Sequence, residues 1–225
     1  MVTTPRPLHI PLAVKLGYTA FMAVLVPVYW YHYGPTNFLY FCDVALFLTL
    51  AAVWLESPLL ASAPAVGILV TQALWCVDFT VAFFGGRLLG MTGYMFHEHK
   101  PLYLRALSSF HGWLPILLIY LVWRLGYDRR AFLTWTLIAW VLMLVSYLFL
   151  PPPPAPKDNR NLPVNVNFVY NPDDTADRPQ EIMPHGLYLT ILLIGWPVLV
   201  YLPTHLVLKR FFPPASPATP APISG

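Results

Sequence analysis

Two carboxylates, two thiols and an imidazole stand inside apolar runs of this sequence. Asp43 follows Cys42 in "NFLYFCDVALF" (37–47), Asp78 lies two residues after Cys76 in "LWCVDF" (74–79), and His111 sits in "SSFHGWLPILL" (108–118). Ionisable groups are costly in hydrocarbon and face a bundle interior, where they mark a functional pocket or an ion path. The plain structural reading is that Asp43 and Asp78 pair with His111 or Arg105 and lock helices together. The functional reading is one pocket holding Cys42, Asp43, Asp78 and His111 together. His185 opens the last apolar run on the same side as His111. Two imidazoles between neighbouring helices are axial ligands for a b-type haem, which makes His185 a candidate cofactor-binding residue. The sequence leaves the cofactor itself unknown. "FHEHK" (96–100) resembles a metal motif, but His97 and His99 point to different faces of a helix, and no zinc-type spacing completes the set.

The elements that must position these groups are membrane helices. Of 225 residues, 57% are hydrophobic and 10% charged, against about 25% charged in a soluble domain. A spanning helix needs roughly 20 mostly apolar residues, and six runs qualify: 11–33, 37–55, 61–84, 102–125, 131–150 and 185–208. The breaks are "YGPT", "ESP", "GGRLLG" and "GYDRR". The fold class is therefore all-α, a polytopic bundle of six spans over residues 1–212. Pro27, Pro197 and Pro203 fall inside spans as kinks, which membrane helices tolerate. Residues 151–184 form an extramembrane loop. It opens on the stiff "PPPPAP" and continues through "NVNFVYNP", whose alternation reads as a short strand folding over the bundle mouth. Residues 213–225, rich in Pro and Ala, read as a disordered tail.

Six spans return the C-terminus to the side on which the chain starts. Asp43, Asp78 and His111 then lie roughly 9–14 Å below the opposite face, at 1.5 Å of rise per residue. Cys42 and Cys76 share that level, and His32 and His185 mark the face itself. Basic residues number seven on the side of the termini (Arg6, Lys15, Arg124, Arg129, Arg130, Lys209, Arg210) and six on the other (Arg87, Lys100, Arg105, Lys157, Arg160, Arg178). The positive-inside rule places both termini in the cytoplasm and the chain in the cell membrane. His205, near Lys209 and Arg210, reads as an interfacial side chain. The start of the chain lacks the short apolar core and cleavage site of a signal peptide, so its first apolar run is expected to stay. No basic stripe interleaved with aromatics suggests nucleic acid, and two cysteines do not make a disulfide framework. The expected partners are the lipid bilayer and other membrane-protein subunits.

Three stretches carry a resemblance. "NFLYFCDVALF" resembles the second-span motif of the androgen-induced membrane hydrolases, which act on fatty acid esters of hydroxy fatty acids. "SSFHGWLPILL" is similar to the His-then-Pro segment of those hydrolases, of YwaF-type bacterial membrane proteins and of their eukaryotic acyltransferase relatives. "NVNFVYNP" resembles the Asn-Tyr motif after the fifth helix of YwaF-type chains, and the whole chain looks like a bacterial family of polytopic "membrane-associated" proteins. The resemblance implies a helix-bundle enzyme acting on lipid acyl groups, with its nucleophile on the second span and its histidine, His111, on the fourth. Tyr40 stands where the hydrolases carry a threonine nucleophile, and Cys42 is the nearest usable one. A thiol becomes a nucleophile once a base takes its proton. His111 is the candidate base, with Asp43 or Asp78 orienting its ring. The alternative is a non-catalytic or cofactor-holding subunit of a larger bacterial membrane complex. A third class, a carrier or channel, lacks the inverted repeat and paired broken helices such proteins show.

Overall fold

The computed structural model describes residues 9–96, 100–156, 162–173 and 177–215. His97, His99 and the tail beyond Ala215 lie outside them. Among the described residues the chain is helical, with no β-strand. The helices are α1 Leu12–Tyr33, α2 Phe41–Leu55, α3 Pro58–Phe83, α4 Leu102–Ser108, α5 Phe110–Leu125, α6 Ala131–Phe149, α7 His185–Gly195 and α8 Leu202–Phe211. A π-helical turn, Trp196–Tyr201, joins the last two. Five helical runs are long and apolar enough to cross a membrane: Leu12–Tyr33, Pro58–Phe83, Leu102–Leu125, Ala131–Phe149 and His185–Phe211. The outward faces carry large apolar side chains, Leu16, Trp30, Ile116 and Leu148 among them, more than half exposed. The chain is a membrane protein of the all-α, polytopic class.

The second expected span is shorter than the sequence suggests. Pro35 opens a 3₁₀ turn, Pro35–Leu39, so α2 begins only at Phe41 and has 15 residues, about 22 Å of helix. Asp43 is therefore the third residue of α2, not a group six residues deep. That position lies in the first turn, at the positive end of the helix.

α3 is the central helix, packed against α2, α5, α6 and α8. Its first half, Ala61 to Ile68, is buried on every side. Small residues there let neighbouring backbones approach closely, which is how helices associate in lipid. Gly67 lies directly against the indole of Trp135 on α6.

Both ends of the described chain lie at one face. Glu56, just past α2, accepts from Lys15 Nζ at 2.7 Å and from the Ile10 amide at 2.9 Å, and it contacts His9 Nδ1 at 3.1 Å. Burial raises the pKa of this carboxyl, but the Lys15 and Ile10 hydrogen bonds outweigh it and hold the value below that of an ordinary glutamate. At the same face the Tyr127 amide donates to Pro213 O at 2.7 Å, and the Ala215 amide donates to Tyr127 O at 3.1 Å. Residues 213–215 of the expected tail are thus tied to the bundle. His205 is half-buried and 2.6 Å from Tyr127 Oη, part of the packing at this face.

The loop after α6 caps the opposite face. Its "NVNFVYN" stretch is not a strand: Val166–Phe168 form a 3₁₀ turn, with Asn167 and Phe168 in the left-handed region. Side chains hold this shape in place of a ladder. Asn165 Oδ1 accepts the amides of Tyr170 and Asn171 at 3.0 and 3.1 Å. Tyr170 Oη donates to Tyr147 O and Leu150 O at the end of α6. Asn167 Oδ1 accepts the Phe41 amide at 2.9 Å, and its Nδ2 donates to Leu39 O at 2.8 Å. A residue 126 positions away thus supplies the N-terminal cap that α2 lacks locally.

Candidate functional site

At the face capped by this loop the bundle forms an open-mouthed cavity of about 350 Å³, within the range of small-molecule sites. Tyr29 and Tyr33 come from the end of α1, Cys42 and Asp43 from the start of α2, and Gln72 and Trp75 from α3. Met91 and Tyr94 come from the loop after α3, His111 from α5, Trp196 from the π turn, and Pro163, Asn167 and Phe168 from the cap.

Asp43 is 3% exposed. Its Oδ2 accepts from Asn37 Nδ2 at 3.3 Å and from the Cys42 thiol at 3.8 Å, while Oδ1 receives no hydrogen bond from the described residues. Gln72 Oε1 and Trp75 Nε1, in the same cavity, are also buried without a partner among them.

His111 owes its place to a break in the fourth span. α4 ends at Ser108, and the Gly112 amide bonds to Ser109 O, so Ser108 O is left to His111 Nδ1 at 2.7 Å. A carbonyl only accepts, so Nδ1 carries the hydrogen and Nε2 keeps its lone pair. The ring stacks on Trp75 and Phe110, with centroids 5.0 and 4.1 Å away. The imidazole is thus oriented by a backbone carbonyl and not by Asp43 or Asp78.

Cys42, Asp43 and His111 share the cavity; Asp78 and His185 do not line it. Asp78, 1% exposed, holds the loop beyond α3. It accepts the amides of Leu89, Gly90 and Thr92 at 2.6, 3.0 and 2.9 Å and the Thr92 hydroxyl at 2.7 Å. The expected pairing with Arg105 or His111 is not made: Arg105 Nη1 donates to Met95 O at 3.2 Å instead. His185 is exposed at the first turn of α7, outside the cavity that holds His111. Cys76 donates to His111 O at 3.8 Å from outside the cavity, and His32 pairs with Tyr103 Oη at 2.7 Å. Among the described residues no three His, Cys, Asp or Glu side chains gather as a metal site.

The sequence reading passed over Asn37, Gln72, Trp75, Asn167 and Trp196. Gln72 carried a usable signal, as the single side-chain amide in its apolar run. The chain matches no protein-family model, no curated protein and no solved structure.

Proposed function

We propose that this membrane protein takes the acyl region of a lipid into the capped cavity and cleaves or transfers the acyl group there, with Cys42 as nucleophile. One observation carries the reading: Cys42 and Asp43 at the start of α2 and His111 on α5 line one cavity rich in aromatic side chains. The resemblance of the second- and fourth-span motifs to membrane hydrolases and acyltransferases points the same way. We also place the cell membrane as its location and the face bearing both termini toward the cytoplasm, on the basic-residue asymmetry.

The protons balance. Asp43 Oδ2, the partner of the thiol, takes the Cys42 proton as sulfur attacks the ester carbonyl. The carbon–oxygen bond breaks and the leaving alkoxide takes that proton from Asp43. Water, or an acceptor hydroxyl, then attacks the thioester as His111 Nε2 takes its proton. The carbon–sulfur bond breaks, and sulfur recovers a proton from His111.

A lipid-tailed β-lactone tests this in isolated membranes. Label is expected on Cys42 and none on Cys42→Ala, while on His111→Ala the label forms but is hydrolysed about 10²-fold or more slowly, the usual worth of a general base. Undiminished labelling of Cys42→Ala, or label lost from His111→Ala as fast as from the wild type, removes the proposal. A second reading, a subunit that holds a lipid or cofactor without reacting, is favoured by one fact: the thiol bonds to Asp43 and not to the imidazole. Under it, ligand binding survives in both variants while covalent labelling is absent from the wild type.

A further inference from the structure

The polar end of the cavity has a charge and hydrogen-bond pattern that names a ligand class. Asp43 is the one carboxylate among the residues lining it, and no Lys, Arg or His forms an ion pair with it among the described residues. Lys100, which also lines the cavity, lies over the rings of Tyr33 and Tyr94, 5.0 and 4.6 Å from their centroids. Asp43 Oδ1 and Gln72 Oε1 are both acceptors, both more than nine-tenths buried, and neither is met by a protein donor among the described residues. A buried carboxylate without a cation is strongly unfavourable, and buried acceptors without donors cost free energy as well. The aromatic side chains of Tyr29, Tyr33, Trp75, Tyr94 and Trp196 also line the cavity. Aromatic faces attract organic cations and repel anions.

We propose that this end of the cavity binds a primary ammonium group, with Asp43 Oδ1 as its counter-charge, Gln72 Oε1 as a second acceptor and the aromatic walls around it. Phosphate and carboxylate head groups are disfavoured next to Asp43. A hydroxyl satisfies one acceptor but brings no positive charge. The inference rests on the cavity being a lipid site, as proposed above, but not on Cys42 being catalytic. If it is, the substrate class narrows. The thiol lies 3.8 Å from Asp43 Oδ2, so an acyl ester of a small amino alcohol brings its carbonyl to Cys42 when its nitrogen sits at Oδ1. The ammonium belongs either to an amine-bearing lipid or to a small free amine, and the two differ in whether the chain is needed.

Protection of Cys42 reports occupancy of this site. The purified protein in detergent is alkylated with N-ethylmaleimide, and modification of the Cys42 peptide is followed by mass spectrometry. The competitors are dodecylamine, dodecanol, lysophosphatidylethanolamine, lysophosphatidylglycerol and ethanolamine. Dodecylamine is expected to protect at a concentration at least tenfold below dodecanol, and lysophosphatidylethanolamine below lysophosphatidylglycerol. Asp43→Asn is expected to erase both differences, while the comparison within the wild-type protein stands even if that variant does not fold. Protection by ethanolamine alone identifies a free amine as the source; protection only by tailed amines identifies a lipid. Equal protection by amine and alcohol overturns the ammonium site and leaves the acyl-lipid reading in place. Protection by none of them overturns both.

Discussion

Replacing Asp78 with alanine is expected to lower stability by more than about 3 kcal/mol, although the residue takes no part in the cavity. Its carboxylate accepts three backbone amides and a hydroxyl from residues 89–92, and it is 1% exposed. Removing it leaves the Thr92 amide and hydroxyl buried without partners, at about 1–3 kcal/mol each, and frees the less buried amides of Leu89 and Gly90. Asp78→Asn keeps one acceptor oxygen but turns an amide NH₂ toward a backbone donor, so an intermediate loss is expected. Thermal unfolding in detergent measures both. The damage should also reach the site, because the loop held by Asp78 carries Met91 and Tyr94, which line the cavity. Alkylation of Cys42 is expected to be faster in Asp78→Ala than in the wild type at a temperature where both are folded. Wild-type unfolding and alkylation in Asp78→Ala contradict the anchoring role.

Gly67→Ala is the second substitution with a large expected effect, and it acts by overfilling. A methyl group at this position falls inside the indole ring of Trp135. That ring is fully buried, and its centroid lies 6.2 Å from Phe41, the first residue of α2. Neither the ring nor the helix can yield freely, so the cost belongs at the upper end of the usual 1–3 kcal/mol for overpacking. Trp135→Leu opens the space the methyl needs. In the double variant the alanine is expected to cost less than it does alone, a coupling that a double-mutant cycle in thermal unfolding detects. Additive losses in the cycle would show that the two residues do not meet.

How far the letters carried depends on the range of the interaction. Apolar runs are local, and five of the six expected spans appear as membrane-length helices, including the one opened by His185. The sixth, α2, starts late because Pro35 diverts the chain into a 3₁₀ turn, a local signal outweighed by the hydropathy of "FLYF". That Cys42, Asp43 and His111 occupy one level could be read from counting along antiparallel helices. The role of Asp78 could not, because its partners are backbone amides 11–14 residues on, in a loop whose shape no spacing reveals. Asn167 was equally hidden: it caps α2 across 126 residues through a left-handed backbone. The alternation in "NVNFVYNP" arises from asparagines that each bind backbone within the loop or across it, not from a strand with two faces.

The central claim is that the second and fourth spans bring Cys42 and His111 to the lining of one cavity. Cross-linking tests it most directly. In a Cys76→Ser background, His111→Cys is paired with native Cys42 and treated in membranes with a short bifunctional thiol reagent. Asp78→Asn is too conservative to serve as a comparison, so the control pair is His185→Cys with Cys42, since His185 does not line the cavity. The arrangement described here predicts an intramolecular cross-link between positions 42 and 111 and none between 42 and 185. A 42–185 link, or two separately modified thiols at 42 and 111, would contradict it.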